Sequence, residues 1–389
     1  MWLSDLAIVL ADRVIPCGAL RIEQGVIAEI VETGGAPTHT LLPGFVDMHG
    51  DMIETELEPR VQVDFPMDVA LTHLDARLAA SGVTTAYAAV SFSRGAKDGE
   101  RRSYDHTCGV IRALKAAKDG MRVDHRIHAR FDITFTAAID ALEGLLADRA
   151  VDLVSVMDHT PGQGQYRNLE RMIELRAAYH GISPEEARAM IQASIDAATP
   201  EAETLANLQR VSALCRRYGV ALASHDDDTV AKGDLMADLG AVISEFPVTM
   251  EAARTVAARG LMTAMGAPNA MRGQSYSGNL SARDAHGAGL LHILAADYHP
   301  AAILPAIRAL APADPGGLPG AVRLASANPA RALGLSDRGE IAIGRRADLA
   351  IVDGADRVVV TLKAGAPIHQ TGALALTSPA DRSLPGAVA

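Results

Sequence analysis

Short apolar runs separated by helical patterns recur eight times between residues 41 and 297, and this alternation constrains the fold more than anything else in the chain. The runs are Leu41–His49, Val83–Phe92, His125–Ile133, Val151–Asp158, Val220–His225, Ala241–Phe246, Leu261–Gly266 and Leu291–Asp297. Apolar strands alternating with helices build βα units and a parallel sheet. One intervening helix reads directly: Pro66 to Ser81 opens with proline in its first turn and stops at Gly82. Eight units predict a (β/α)8 barrel. A doubly wound open sheet is the alternative, because strand order is not written in a sequence, yet no G-x-G-x-x-G follows an early strand to mark a dinucleotide site.

Both ends of the chain read as short strands. Asp5–Leu10, Ala19–Ile22 and Val26–Val31 precede the barrel, and Gly339–Val352 and Arg357–Leu362 follow it, with Gly25 and Gly344 where hairpin turns would fall. We therefore expect a small β-domain from residues 1–40 and 336–389, and a barrel from 41–335. A length of 389 residues suits a large barrel with an accessory module. The connection from His159 to Tyr218 is longer than a βα loop and carries the pattern of two or more helices, which predicts a lid or binding element, with a homo-oligomer interface as the alternative. The tail from about Pro367, rich in Ala, Ser, Gly and Pro, is expected to wrap the surface or to be partly disordered.

Charge and cysteine usage narrow the function classes. A formal net charge of −11 without a basic block argues against nucleic acid or an anionic membrane as partner. Cys17, Cys108 and Cys215 are far apart and odd in number, so buried thiols in a reducing compartment are expected. No signal-peptide pattern or membrane-length apolar stretch is read, and the expected location is cytoplasmic.

In a barrel of this kind the site gathers at the C-terminal strand ends. His49 and Asp51 end the first run two residues apart, so they share one strand face and could hold one ion. His128, Arg130 and Asp132 share a face of the third run. The fourth ends Met157-Asp158-His159-Thr160, the fifth Ser224-His225-Asp226-Asp227-Asp228, and the eighth Ala296-Asp297-Tyr298. Imidazoles with carboxylates suit Zn²⁺ or Mn²⁺, as one or two ions. Asp297 is the expected general base, which would take the proton of a bound water. After the seventh run, Met265 to Asn279 combines glycines, hydroxyls and Arg272 into a phosphate cradle in which Gly273, Ser275, Ser277 and Asn279 would take part. Arg60, Arg94 and Lys97 follow the first two runs and would add positive charge.

Pro43-Gly44-Phe45-Val46-Asp47-Met48-His49-Gly50-Asp51, with Ala327-Asn328-Pro329-Ala330-Arg331-Ala332-Leu333-Gly334 and Gly339-Glu340-Ile341 through Asp348-Leu349, resembles the amidohydrolase superfamily over nearly the whole chain. More narrowly, Met157 to Gln163, Gly266-Ala267-Pro268-Asn269, Arg272-Gly273, Ser277-Gly278-Asn279 and Ala296-Asp297-Tyr298 resemble its phosphonate-metabolism diphosphatases of the carbon–phosphorus lyase pathway. The resemblance implies a distorted (β/α)8 TIM barrel with a small β-sandwich domain from both termini, and a divalent metal centre. It further implies hydrolysis of α-D-ribose 1-methylphosphonate 5-triphosphate, a small phosphorylated ribosyl substrate, to the 5-phosphate and diphosphate. Carried onto this sequence, it makes His49, Asp51, His159, His225 and Asp297 metal ligands and Asp132 a bridging carboxylate. The chain departs from the superfamily pattern in having H-x-D rather than H-x-H, no lysine at the fourth strand end, and Ser244-Glu245-Phe246 without a histidine at the sixth. Tyr276 stands where the narrower group has histidine. Two other readings remain open: an amidohydrolase acting on a cyclic amide, carbamate or deaminated base, and a catalytically silent scaffold barrel.

Overall fold

The computed structural model describes residues 1–60, 63–92, 104–275 and 278–371. Its strands form two sheets. β1 (Trp2–Val9), β2 (Val14–Glu23), β3 (Val26–Glu32) and β4 (His39–Pro43) come first. Eight barrel strands follow: β5 (Phe45–Gly50), β6 (Val83–Phe92), β7 (Asp124–Asp132), β8 (Leu153–Met157), β9 (Ala221–His225), β10 (Ile243–Glu245), β11 (Met262–Gly266) and β12 (Ile293–Ala295). β13 (Leu349–Val352), β14 (Val358–Lys363) and β15 (Ala366–Gln370) close the described chain.

β5 to β12 lie side by side in chain order, all parallel, with helices in the connections. The sheet curls until its ends meet. The Asp297 amide donates to the His49 carbonyl at 2.9 Å and the Asp51 amide to the Asp297 carbonyl at 3.1 Å, so the seam between β12 and β5 is bonded just past both strands. Strands buried on both faces explain why apolar residues dominate the runs without strict alternation; all ten residues of β6 are buried. Alternate residues turn inward. Met48, Tyr87, Leu153, Ala223, Ile243, Ala264 and Ile293, one from each of seven strands, form a separate apolar cluster that plugs the barrel.

The second sheet runs β15-β14-β13-β4-β1-β2-β3, so the two termini meet at β4, which is parallel to β1 and antiparallel to β13. It has its own core, including Leu6, Ile8, Leu20, Ile27, Leu349, Ile351 and Leu362. Three sequence expectations change here. The run Leu41–His49 is two strands: Leu41 to Pro43 pair with β13, and at Gly44, where a Cβ would collide with Thr84, the chain passes into the barrel. The run Gly339–Val352 shrinks to Leu349–Val352, because Gly339 and Gly344 take positive φ (91° and 83°) in the preceding loop; the hairpin turn is at Ala364-Gly365 instead. The start of the tail is an edge strand, because Ala366–Gln370 pairs with β14; the rest of it, from residue 372, lies outside the described residues.

The predicted helix is present as Met67–Ala80, with Pro66 and Ser81 as its caps. The long connection holds three helices, Leu169–His180, Pro184–Asp196 and Glu201–Tyr218. The first two pack on each other through Met172, Ile173, Ala177, Ala187 and Ile191. The three cysteines are buried free thiols. Among the described residues no helix is long and apolar enough to cross a membrane.

Candidate functional site

The C-terminal ends of the barrel strands open on a cavity of about 750 Å³. Three backbone turns aim side chains there. Asp226 and Phe246, immediately after β9 and β10, and Asp297, two residues past the end of β12, have φ of 53°, 53° and 58°. Non-glycine residues rarely adopt this region, and they hold it where surrounding structure dictates it. Here the dictating contacts are ladder bonds to the next strand: Asp226 to Glu245 at 2.8 Å, Phe246 to Ala264 at 2.8 Å and Asp297 to His49 at 2.9 Å. Gly266 completes the fit, since a Cβ there would lie 2.7 Å from Asp297 Oδ2.

Two groups of donors converge. His49, His128 and Glu245 form one, with ligand atoms within 4.8 Å of one another; His159, His225 and Asp226 form the other. Glu245 Oε2 is 3.2 Å from His49 Nδ1 and its Oε1 3.5 Å from His128 Nε2. The rings of His49 and His225 are 5.7 Å apart and those of His159 and His225 6.3 Å, so the two groups adjoin. Arg130 Nη1 reaches Asp51 Oδ2 and its Nη2 reaches His225 Nε2, each at 3.4 Å.

Burial sets the protonation states. It lowers the His128 and His225 pKa to about 3 and takes His49 well below its ordinary value, with Arg130 adding to the effect on His49 and His225. Neutral imidazoles are the form that binds metal. Both carboxylate oxygens of Glu245 are buried without a hydrogen bond, and so is Nδ1 of each of those three histidines. A fully buried carboxylate among uncharged rings lacks the compensation that buried charge requires. A divalent cation would supply it, so the donor set fits Zn²⁺ or Mn²⁺. Burial, with the Asp51 charge adding to it, raises Asp297 to about 7. Asp47 is raised to about 7 by burial too, although its Oδ1 accepts from the amides of Ala296 at 2.8 Å and His49 at 3.2 Å.

Of the residues singled out in the sequence, His49, Asp51, His159, His225 and Asp297 all line this one cavity, as do Arg272, Ser275 and Asn279. Asp132 is not brought to it. Its Oδ1 accepts from the Thr134 amide at 2.9 Å and hydroxyl at 2.6 Å, so it stabilises the turn that ends β7. Gly273 caps the helix Ala267–Arg272 at φ 79° with the Arg283 guanidinium against it. Arg60 is exposed and pairs with Val63 away from the cavity. Arg94, Lys97, Tyr276 and Ser277 lie outside the described residues. Sequence reasoning passed over Glu245, which no spacing marks; the structure shows it ending β10 in register with His225 of β9. The helical insertion reaches the cavity through Gln165, Tyr166, Met172, Arg176 and Ser194, and the Gly164 amide ties it to Asp228 Oδ2 at 2.8 Å.

A profile of the amidohydrolase family matches residues 40–371. The chain belongs to the amidohydrolase family. Among curated relatives of this amidohydrolase, the α-D-ribose 1-methylphosphonate 5-triphosphate diphosphatase of Escherichia coli (strain K12) is 35% identical over 362 residues, which cover 90% of this chain and 94% of that one. Solved structures with the same fold include N-acetylglucosamine-6-phosphate deacetylase from Thermotoga maritima (TM-score 0.61, 16% identity, covering 95% and 100% of the two chains). Another is 5-methylcytosine deaminase from Klebsiella pneumoniae (TM-score 0.63, 16% identity, 98% and 100%).

Proposed function

We propose that this amidohydrolase is a metal-dependent diphosphatase that cleaves α-D-ribose 1-methylphosphonate 5-triphosphate to the 5-phosphate and diphosphate in phosphonate catabolism. The observation that carries the reading is the 35% identity with the Escherichia coli diphosphatase along nine-tenths of both chains. The cavity's chemistry agrees with it. Imidazoles and carboxylates share the lining with Arg272, Ser275 and Asn279, which suits a substrate with a reacting phosphorus and further anionic groups.

Zn²⁺ or Mn²⁺ would be held by His49, Asp51, His159, His225 and Asp297, joined by His128, Asp226 and Glu245 from the two donor groups. Such an ion, when bound, neutralises phosphoryl charge and acidifies water. The remaining chemistry belongs to the protein's own side chains. Asp297, with proton affinity raised to near neutrality, takes the proton from water as the water oxygen attacks the ribose-proximal phosphorus. The bond from that phosphorus to the bridging oxygen breaks and diphosphate leaves. Arg130 and Arg272 face the phosphoryl oxygens and offset their charge, so the local field prevails over the net −11 of the whole chain. Placement and charge compensation are what phosphoryl transfer needs most.

The test is to incubate Zn²⁺- or Mn²⁺-loaded protein with ribosyl and nucleoside triphosphates and identify the released anion. Diphosphate release from the ribosyl triphosphate is expected. Turnover of cyclic amides without any triphosphate cleavage would overturn the proposal, and protein that takes up no divalent metal and turns over neither class would favour the silent scaffold.

A further inference from the structure

The insertion between β8 and β9 places in the cavity a guanidinium that the reaction above does not use. Arg176, on the helix Leu169–His180, lines the cavity beside Met172 of its own helix and Ser194 of the next. Among the described residues it makes no hydrogen bond and no ion pair. Two other arginines of the insertion behave differently: Arg171 pairs with Glu174 and Arg188 with Glu170, each at 2.8 Å. The inward-facing arginine is thus left open while these two are neutralised.

A second open guanidinium enters three strands further round the barrel. Arg272, past β11, lines the same cavity and likewise has no hydrogen bond or ion pair among the described residues. Arg130, the third cationic side chain of the lining, is already engaged by Asp51 at 3.4 Å. An arginine fork binds phosphate through two parallel N–H donors, and two such forks from separate elements can grip successive phosphates of one chain. A cavity of about 750 Å³ has room for a sugar and several phosphates beyond the strand ends.

We propose that Arg176 and Arg272 form a clamp for the outer phosphates of a polyphosphate, and that the helical insertion thereby selects substrates by phosphate-chain length. The proposal rests on the triphosphate reading and adds the residues that recognise the leaving diphosphate.

The experiment compares the metal-loaded full chain with its Arg176→Ala and Arg176→Lys variants, using inorganic orthophosphate, diphosphate and tripolyphosphate as calorimetric probes. Charge-assisted hydrogen bonds to Arg176 predict that Arg176→Ala weakens tripolyphosphate binding about tenfold or more and orthophosphate binding less than about twofold. Arg176→Lys should recover part of the loss. On ribosyl triphosphate, Arg176→Ala should raise KM by a similar factor with kcat within about threefold. Unchanged thermal midpoint and metal content establish that the variant is folded. Equal losses for all three anions, or no loss for tripolyphosphate, overturn the clamp. Arg176-dependent tripolyphosphate binding by a protein that hydrolyses no ribosyl triphosphate would sink the diphosphatase reading and leave the clamp standing. Hydrolysis by Arg176→Ala with unchanged KM would do the reverse.

Discussion

Glu245 decides the charge balance of the site. It is fully buried, ends β10, and holds its carboxylate between the rings of His49 and His128 with neither oxygen hydrogen-bonded. Because burial keeps those rings uncharged, a cation is the compensation that leaves every group in its preferred state. Glu245→Gln preserves volume and removes the charge. It should weaken metal retention by about tenfold or more, read as metal content after dialysis against a graded chelator series; full retention would remove Glu245 from the metal site. Asp297→Asn tests the proton acceptor. General-base loss predicts a fall in kcat of about 10²–10⁴, and a variant within a few-fold of wild type would end that assignment.

Among the elements, the seam between β12 and β5 depends on one side chain in addition to its backbone bonds. Asp47 sits on β5, and its Oδ1 binds the amides of Ala296 and His49, joining the last strand to the first at the level of the site. Asp47→Ala leaves two buried amides unpaired and should cost roughly 2–4 kcal/mol in urea unfolding, with Asp47→Asn, which keeps an acceptor, costing less than half of that. What could be read in advance follows the same physics. β6 was legible to its last residue because both faces are buried and its run, broken only by the uncharged Thr84, Thr85 and Ser91, carries no charge. His49 and Asp51 were legible because period-two spacing at a strand end is a local signal. Asp132 shares a face with His128 and Arg130 in sequence, but a turn bond to Thr134, invisible to periodicity, draws it aside. Glu245 escaped because one glutamate at the end of a three-residue strand has no spacing to betray it; only the register with His225 marks it. The edge strand Ala366–Gln370 takes its order from pairing with β14 rather than from its own pattern.

At the scale of the whole molecule, one face of the terminal sheet has a core of its own, while Val9, Leu42, Ala350 and Val352 on its other face join the barrel's apolar cluster, and polar contacts near the start of β7 add to that joint. Arg338, buried in the chain that leads to β13, donates to Asp124 Oδ2 at 2.5 Å and to Thr85 Oγ1 at 2.9 Å, while Lys363 of β14 donates to the Met121 carbonyl at 2.9 Å. Burial alone would raise the Asp124 pKa, but Arg126, Arg338 and Arg346 outweigh it and hold the carboxyl below its ordinary 3.8. Asp75, on the helix Met67–Ala80, is lowered in the same way: burial opposes, and the His125 ring with the amides of Val123 and Arg122 prevails. A carboxylate with a depressed folded pKa contributes stability that is complete above its unfolded value and is lost as pH falls through the folded one. Acid should therefore loosen this joint through Asp124, and the packing of the helix Met67–Ala80 on β7 through Asp75, below pH 3.8, with no counterpart on the alkaline side from these two groups. In urea titrations from pH 7 to pH 3, wild type should lose stability more steeply below about pH 4 than Asp124→Asn, which starts lower at pH 7 because Arg338 has lost its charged partner in the barrel and keeps only Thr85 there. Parallel pH profiles for the two proteins would show that the Asp124–Arg338 contact does not couple the barrel to the terminal sheet.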